Sequence, residues 1–561
     1  MDMNDMITVR FPDNGQQCEV ALGTPLTQLA AQCGTADDRP VLAAYVDNRI
    51  KELCYKVCKP VTVRFIDIAS DEGQRVYQRT ATFMLQKAVS ELYPDSRLLV
   101  RHSLGSGIYF ELKHPEQAAP ADAAAVASAL CARMGDIARA DYPIVRSRRT
   151  TGEVREIYRA HGFDDKIDLL DTRPRLYSEL CEMAGEYGYF YGALAPSSGC
   201  IRRFDIKPYL RGYYLMLPDA ADPTSLRDNI HADKMAEVFS GYKQWVDVMG
   251  VPTVGRLNAK VLAGEAGDLV KIAEAFHEKQ LAAIADSIDA ANRTRGLRMV
   301  LISGPSSSGK TTFAKRLGVQ LRILGLNPVL ISLDDYFVDR DRTPLDENGE
   351  YDYEALEAIN LELFNDHLTR LNRGESIAMP RYDFISGRSM LDCTPLTLDE
   401  RSILVIEGIH GLNPRLTPSI PDAMKFKIYI SCFTTVAMDN ITRIHSADNR
   451  LLRRMIRDSR TRGADAVSTL SRWASVRRGE ERHIFPYQEN ADVMFNSSLF
   501  YELSVLRPFA IPLLREVPDT ERVYAVAHRM LKFLDAFTPV DAAEVPPSSL
   551  LREFIGGSSF K

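Results

Sequence analysis

Short apolar runs separated by turn residues open the chain. Between residues 6 and 68, runs such as ITVRF and VTVRFID alternate with polar turn segments, and residues 24–34 have helical spacing. Alternation of this kind predicts strands, whereas apolar residues three or four positions apart predict a helix. Residues 1–68 are therefore predicted to form a small strand–strand–helix–strand module.

Residues 69–265 mix helical and strand patterns. A helical pattern begins at Asp71, and strand-like segments such as FDIKPYLRGYYLMLP follow further along. Residues 144–265 contain no motif that points to chemistry. Apolar residues at positions 269, 272, 276, 281, 284 and 288 then indicate a helix. We therefore expect an α+β region at residues 69–265 and a linker helix at residues 266–296.

Residues 297–515 contain three apolar strands, RMVLIS, PVLISL and SILVIE, with helical segments between them. Strands that alternate with helices predict a parallel sheet with helices on its faces. The last segment, residues 516–561, is predicted to be a short helical tail. The chain as a whole is expected to be of the α/β class.

A phosphate-binding motif follows the first of these strands, where Gly304 and Gly309 frame a loop that leads into Lys310 and Thr311. Glycines let backbone N–H groups close around phosphate oxygens, and the following helix N-terminus adds partial positive charge. Lys310 would bridge the β- and γ-phosphates of ATP, and the Thr311 hydroxyl would bind Mg²⁺. A serine-rich turn that matches by chance is the alternative. The residues predicted to bind the nucleotide are Gly304, Pro305, Ser306, Ser307, Ser308, Gly309, Lys310, Thr311 and Thr312.

Carboxylates end the second and third strands. Asp334 is our candidate for the general base that accepts a proton from an attacking hydroxyl, and Asp335 is its competitor. A helix cap or a Mg²⁺ ligand is the alternative role for Asp334. Glu407 is placed to hold Mg²⁺ directly or through water, although a simple salt bridge is also possible. The predicted metal ligands are thus Thr311, Asp334 and Glu407.

Arginines are concentrated late in this unit. Residues 443–482 contain eleven arginines and no lysine. A helix face with Arg450, Arg454 and Arg457 could close over a transferring phosphate, where planar donors stabilise spread charge. This predicts a lid, and the alternative is an ordinary solvated helix.

Composition restricts the class of protein. The chain has 561 residues and a formal net charge of −6, which argues against binding nucleic acid through bulk electrostatics. Its nine cysteines include one close pair, Cys54 and Cys58, with no second Cys or His pair nearby to complete a zinc site. The N-terminus lacks a signal-peptide pattern and no apolar run reaches membrane length, so we expect a cytoplasmic protein without a membrane span.

Two resemblances extend this interpretation, and the first concerns the N-terminal units. Residues 1–68 resemble a TGS domain of the β-grasp fold, and the following segment is similar to the additional domain of threonyl-tRNA synthetases. That synthetase domain carries an editing site of two His on its first helix, with a Cys and a His further on. Here residues 78–83 contain no His, and the segment SSGCIRRFD around Cys200 contains none. The resemblance therefore implies a shared scaffold without the editing chemistry.

The second resemblance rests on GPSSSGKTT, ISLDDYF, EYDYEAL, MPRYDFISGR, ILVIEGIHGL, DNRLLRRMIRDSRTRG and ENADVMFN, which occur in the order seen in uridine–cytidine kinases and their phosphoribulokinase relatives. The resemblance implies a P-loop kinase that uses ATP and Mg²⁺. It implies catalytic roles for Asp334, Lys310, Arg457 and Arg462. The resemblance also implies that the acceptor contacts Asp334, Glu354, Tyr382 and Arg454. The nearby basic residues Arg388 and Arg472 complete the predicted acceptor site.

The expected activity is phosphoryl transfer from ATP to the 5′-hydroxyl of a nucleoside, with uridine or cytidine as the leading acceptors. Two departures leave the acceptor open, because Gly387 stands where pyrimidine kinases carry a base-contacting His, and Arg472 stands where they tend to carry a Gln. Arg388 and Arg472 keep a phosphoribulokinase-like sugar-phosphate kinase as an alternative. An RNA- or ribosome-associated ATP-driven switch is a further alternative. We also expect a homo-oligomer, with RNA or a small ligand as a regulator at the N-terminal modules.

Overall fold

The first unit of the computed structural model is a mixed five-stranded sheet with one helix against it. The structure describes residues 6–33, 39–114, 122–226, 233–347 and 349–560. The elements here are β1 (Met6–Phe11), β2 (Gln16–Ala21), α1 (Leu26–Cys33), β3 (Ala43–Val46), β4 (Arg49–Lys51) and β5 (Val61–Ile66). The strand order is β2-β1-β5-β3-β4, with β1 parallel to β5. Leu26 and Leu29 of α1 are buried against this sheet, which has the expected β-grasp arrangement.

Two antiparallel sheets and several helices make up the second unit. Its elements are α2 (Asp71–Leu92), β6 (Arg97–Leu104), β7 (Gly107–Lys113), α3 (Ala123–Ala140), β8 (Val145–Thr150), α4 (Thr151–Ala160), α5 (Asp164–Asp171), β9 (Tyr177–Met183), β10 (Glu186–Gly188), β11 (Asp205–Tyr209), β12 (Gly212–Met216), α6 (Asp233–Val248) and α7 (Val254–Leu262). The sheets have the orders β11-β12-β7-β6 and β10-β9-β8. Helix α2 begins where Ser70 accepts a hydrogen bond from the Gly73 N–H, and Asp71 and Glu72 favour its positive end.

A long helix, α8 (Ala266–Arg295), connects this unit to the third and ends at Gly296, whose φ of 67° is a left-handed conformation that glycine adopts without strain. The third unit contains β13 (Met299–Ser303), α9 (Lys310–Ile323), β14 (Asn327–Ser332), α10 (Leu361–Asn372), β15 (Ile377–Asp383), β16 (Arg388–Leu396), β17 (Ser402–Glu407), β18 (Lys425–Ser431), α11 (Ser446–Thr461), α12 (Ala466–His483), β19 (Val493–Asn496), α13 (Glu502–Arg515), α14 (Tyr524–Leu534) and α15 (Arg552–Ile555).

Five parallel strands in the order β14-β17-β13-β18-β19 form the central sheet of this unit. Strands β13 and β17 are buried along their whole length, as expected for a sheet with helices on both faces. The expected α/β class is therefore confirmed. In a parallel sheet the carboxyl ends of all strands meet at one edge, which brings the loops after β13, β14 and β17 together.

A buried ion cluster joins the second unit to the third. Asp448 of α11 accepts hydrogen bonds from Arg75 of α2, at 2.9 and 3.0 Å, and from Arg529 of α14, at 2.6 and 3.2 Å. Although burial opposes ionisation, these two guanidinium groups hold the pKa of Asp448 well below its usual range. The cluster makes α11 a meeting point for the N-terminal region and the C-terminal helices.

We expect Asp448→Asn to lower the free energy of unfolding by about 3–5 kcal/mol, because it removes the buried carboxylate that the guanidinium groups of Arg75 and Arg529 share. The matched variant Asp366→Asn removes a carboxylate that lies 3.8 Å from Arg370 on the exposed face of α10, and should cost less than about 1 kcal/mol. Chemical denaturation of both variants measures the difference. Equal losses in the two variants would contradict the structural role given to Asp448.

Candidate active site at the phosphate-binding loop

The loop between β13 and α9 has the tight geometry that its glycines predict. A Cβ at Gly304 would lie 1.9 Å from the carbonyl oxygen of Ile430, so only glycine fits there. Gly309 has a φ of +88° and precedes the first residue of α9, and Ser307 also has a positive φ of +59°. The Lys310 Nζ donates to the Pro305 carbonyl at 3.2 Å across the loop. The loop therefore wraps around the N-terminus of α9, where anions bind favourably.

Oxygen atoms from two strand ends and from the first turn of α9 converge next to this loop. The Thr311 Oγ1 and the Ser332 Oγ each donate to Glu407 Oε1 at 2.9 Å. Burial, and the nearby Asp334 carboxylate, raise the pKa of Glu407 above its usual range. A cation bound beside Glu407 would stabilise the ionised form of this carboxylate. A hydroxyl and a carboxylate are also ligands that Mg²⁺ prefers, so these residues fit that ion.

Asp334 and Asp335 point to different neighbours. Both lie in the 3₁₀ turn Leu333–Tyr336 that follows β14. Asp335 accepts a hydrogen bond from the Tyr382 N–H at 3.5 Å, and burial raises its pKa. The Asp334 carboxylate makes no hydrogen bond or ion pair with any residue that the structure describes, yet its charge acts on both Glu407 and Arg462. Asp334 is thus the carboxylate available to a substrate.

Three arginines that were predicted to act at this site share one carboxylate. Arg454, Arg457 and Arg462 lie 3.4, 2.8 and 3.7 Å from the carboxylate oxygens of Asp458. Arg454 also donates to the Ser306 Oγ at 2.8 Å, which places it on the phosphate-binding loop. Burial and the adjacent Arg457 lower the pKa of Arg462 to about 10. One carboxylate cannot neutralise three guanidinium groups, so this cluster holds an excess of positive charge that favours a phosphate.

Arg450, which the sequence placed on the same helix face, has a different role. It is 2% exposed and forms a bidentate ion pair with the fully buried Glu480 of α12. It also donates to the Ser306 carbonyl at 3.1 Å. Arg453, on the next turn, pairs with the buried Glu502 and donates to the Ser307 carbonyl at 3.5 Å. These two arginines support the loop from behind, and their charges are already neutralised.

Aromatic rings and a buried acid lie on the acceptor side. Tyr382 of β15 packs against Phe337 and Phe384, with ring centroids 5.5 and 5.2 Å apart. Glu354 is buried, and burial raises its pKa to about 7, although Arg454 acts in the opposite direction. The two side chains predicted to contact a nucleoside therefore provide a flat apolar surface and a carboxyl group that can take part in hydrogen bonds.

The other two predicted acceptor residues lie apart from this cluster. Arg388 is 60% exposed and pairs with Asp339 and Asp341, at 3.1 and 3.4 Å. Arg472 is exposed and lies over the ring of Tyr353 at 5.4 Å. Neither arginine contacts the phosphate-binding loop in the part of the chain that the structure describes.

The C-terminal segment contacts the predicted nucleotide site. Glu553 of α15 accepts hydrogen bonds from the Thr312 Oγ1 at 2.7 Å and from the Thr312 N–H at 3.3 Å. Leu550 packs against the loop so closely that a Cβ at Gly309 would lie 2.4 Å from it. A carboxylate thus occupies donors at the N-terminus of α9 that were predicted to bind a nucleotide phosphate.

Sequence reasoning missed four side chains around this site: Asp458, Glu480, Glu553 and Arg340. Asp458 had a usable signal, because it lies four residues after Arg454 and next to Arg457 on the same helix. Glu480 and Glu553 reach the loop from far along the chain and had no local signal. Arg340 fills the space beside Gly387, where an added Cβ would lie 2.7 Å from its Nε.

The third unit is similar to known kinases. Residues 299–500 match the model of the phosphoribulokinase / uridine kinase family. This segment is therefore similar to the kinase domains of that family. The chain is also 29% identical over 194 residues to the uridine kinase of Halobacterium salinarum, a match that covers 34% of this chain and 77% of that protein. The resemblance inferred from the motifs is therefore confirmed for the kinase domain.

The N-terminal part matches a different class of protein. The chain is 28% identical over 213 residues to the threonine–tRNA ligase of Symbiobacterium thermophilum, which covers 38% of this chain and 32% of the ligase. The chain thus spans about a third of the length of the ligases it matches. Among solved structures, a possible uridine kinase from Bacillus stearothermophilus aligns over 39% of this chain and 98% of its own, with 20% identity and a TM-score of 0.28. The sequence matches to uridine kinases and to threonine–tRNA ligases confirm the composite architecture expected from the sequence.

Two further expectations concern membranes and zinc. None of the helices in the described ranges combines the length and apolar character needed to cross a bilayer. Cys54 and Cys58 are exposed free thiols, and no cluster of three or more His, Cys, Asp or Glu side chains suited to a metal occurs among the described residues. The Mg²⁺ expected beside the phosphate-binding loop would instead be held by its predicted ligands, Thr311, Asp334 and Glu407.

We expect Glu553→Ala to tighten ATP binding several-fold, because it removes an anion that competes with phosphate for the Thr312 donors. Glu544→Ala removes an exposed carboxylate from the same C-terminal segment and should leave ATP binding unchanged. Titration calorimetry with Mg·ATP measures both. Weaker or unaltered binding in Glu553→Ala would show that Glu553 supports the loop rather than competes with the nucleotide.

Proposed function

We propose that the protein is an ATP-dependent nucleoside kinase that transfers the γ-phosphoryl group of ATP to the 5′-hydroxyl of a nucleoside, with uridine as the leading acceptor and cytidine next. The observation that carries this proposal is the position of Asp334. Its carboxylate has no partner among the described residues, and its charge acts on both Glu407 and Arg462 of the arginine cluster around Asp458. A general base for a hydroxyl acceptor needs this arrangement, and an ATP-driven switch does not.

Residues of the phosphate-binding loop and of the neighbouring strand ends would bind ATP and its Mg²⁺. The backbone N–H groups of residues 304–309 and the N-terminus of α9 hold the phosphates, and Lys310 turns from the Pro305 carbonyl to the β- and γ-phosphates. Thr311 and Glu407 would hold Mg²⁺, with Asp334 as a further predicted ligand; this ion supplies charge neutralisation on the β- and γ-phosphates.

Phosphoryl transfer then needs little covalent participation by the protein. Asp334 accepts the proton of the 5′-hydroxyl while that oxygen forms a bond to the γ-phosphorus. The bond between the γ-phosphorus and the oxygen bridging to the β-phosphate breaks, and ADP carries the electron pair away. Arg454, Arg457 and Arg462 stabilise the charge that spreads over the equatorial oxygens in the transition state.

The acceptor preference is supported by the residues around Gly387. Arg340 lies beside Gly387 and donates to the Phe384 carbonyl at 2.9 Å, next to the aromatic surface of Tyr382. Arginine is only a hydrogen-bond donor. A uracil ring offers carbonyl acceptors at both O2 and O4, whereas cytosine replaces one of them with an amino donor. This chemistry favours uridine over cytidine.

The other expectations have less support. The exposed Arg388, neutralised by Asp339 and Asp341, does not strengthen the phosphoribulokinase-like alternative. The RNA-linked switch is supported by the ligase-like N-terminal part alone. A cytoplasmic location, a homo-oligomeric state, an RNA or small-ligand regulator and the division into units at residues 68, 265, 296 and 515 remain predictions.

The test is turnover of Mg·ATP with a panel of nucleosides and ribulose 5-phosphate by the full chain and by Asp334→Asn. We expect uridine to be phosphorylated fastest, and kcat to fall by roughly 10²–10⁴-fold in the variant, because a positioned general base contributes about that much. Asp335→Asn is the matched control, and its kcat should fall by less than about tenfold.

Two results would contradict the proposal. Hydrolysis of ATP at the same rate with and without every acceptor would favour the switch. Faster turnover of ribulose 5-phosphate than of any nucleoside would favour the sugar-phosphate kinase.

A further inference from the structure

A cavity of about 510 Å³ lies between the second unit and the C-terminal helices, away from the phosphate-binding loop. One wall comes from residues 148–191, around β8, α5 and β9, and the other from residues 507–535 of α13 and α14. Cavities of this size commonly hold small molecules. None of the residues assigned above to ATP, Mg²⁺ or the acceptor lines it.

The cavity wall is rich in positive charge. Its cationic residues include Arg148, Arg173, Arg175, Arg507, Arg515 and Lys532, whereas Glu179 and Asp535 are its only carboxylates among the described residues. Asp535 is shared by Arg173 and Arg175, and Glu179 lies 3.9 Å from Lys532 but also 3.0 Å from Arg146. The two carboxylates are therefore outnumbered.

Several of these cations have no carboxylate partner. Arg507 and Arg515 form no ion pair with any described residue, and Arg148 lies over the ring of Tyr177 at 4.9 Å. Burial and the nearby Lys532 lower the pKa of His528 in the same wall, which is consistent with the local excess of positive charge. An anion inside the cavity would be attracted to this field.

Buried polar atoms in the wall also lack partners. Tyr158 is 1% exposed, and its Oη has no hydrogen-bond partner among the described residues. The same holds for the buried Nε atoms of Arg173 and Arg507. A buried donor without a partner costs about 1–3 kcal/mol, so a ligand that accepts hydrogen bonds from these three groups around the cavity would be stabilised there.

The aromatic residues that line the cavity indicate which kind of anion fits it. Tyr177, Tyr189 and Tyr191 contribute aromatic rings to the same cavity as the unpaired arginines. Aromatic rings stack on flat heterocycles, and arginine forks bind phosphate oxygens. We propose that this cavity is a second ligand site that binds a nucleotide, with its phosphates on the arginines and its base against the tyrosines.

Such a ligand would bridge two parts of the chain. Arg173 and Arg175 belong to the N-terminal wall, and Arg507 and Arg515 belong to α13, which packs against the arginine-bearing helix α11. Helix α14, from the same wall, holds Asp448 of α11 through Arg529. A nucleotide in the cavity therefore binds next to elements that position the lid arginines.

The test must separate the cavity site from the site at the phosphate-binding loop. It uses the full chain with Lys310→Ala, which weakens phosphate binding at the loop. Equilibrium dialysis with UMP, UTP, ATP and inorganic phosphate measures what still binds. We expect this variant to retain one site for at least one of the nucleotides, which binds at least tenfold more tightly than inorganic phosphate. Adding Arg507→Gln and Arg515→Glu should weaken that binding at least tenfold.

The matched control is Arg522→Glu, which makes the same charge change as Arg515→Glu at an exposed arginine outside the cavity and should leave binding unchanged. Hydrogen exchange on the unmodified chain gives a readout that needs no variant: the nucleotide should protect residues 148–191 and 507–532. Absence of nucleotide binding in Lys310→Ala, or binding no tighter than that of inorganic phosphate, would overturn the proposal. Because this variant leaves Asp334 and the acceptor surface intact, failure here says nothing against the proposed kinase reaction.

Discussion

The buried guanidinium of Arg453 is the interaction on which the active-site geometry most depends. It is fully buried, pairs with Glu502, and donates to the Ser497 carbonyl at 2.9 Å and the Ser307 carbonyl at 3.5 Å. A buried charge is tolerated only when it is paired and hydrogen-bonded, so this position is tightly specified. Together with Arg450 and Glu480, it fixes α11 against the back of the phosphate-binding loop. The same helix then presents Arg454 and Arg457 to the site itself.

Helix α11 also connects the site to the rest of the chain. Its first turn holds Asp448, which binds Arg75 of the N-terminal region and Arg529 of α14. Its last turn donates from Arg460 to the Phe554 carbonyl of the C-terminal segment, whose Glu553 reaches Thr312. The N-terminal region, the C-terminal helices and the loop are thus linked through one helix. This offers a physical route by which a ligand in the second cavity could influence phosphate binding.

The sequence could predict the features that depend on local pattern. The phosphate-binding loop follows from its glycine spacing, and the meeting of Thr311 with Glu407 follows from the rule that parallel strands β13 and β17 end at one edge. The contact between Glu553 and Thr312 joins residues 241 positions apart and has no local signal. Likewise, Arg388 was assigned to the acceptor, but nothing in the sequence showed that Asp339 and Asp341 would neutralise it at the surface.

In the proposed function, the Asp334 carboxylate and the arginine cluster around Asp458 serve transfer of phosphate to a hydroxyl rather than to water. The most direct measurement is ³¹P NMR of a reaction that contains the full chain, Mg·ATP and uridine. We predict that each ADP formed is matched by one new phosphomonoester resonance, coupled to the 5′ protons of the nucleoside. ADP accompanied only by inorganic phosphate would contradict the account.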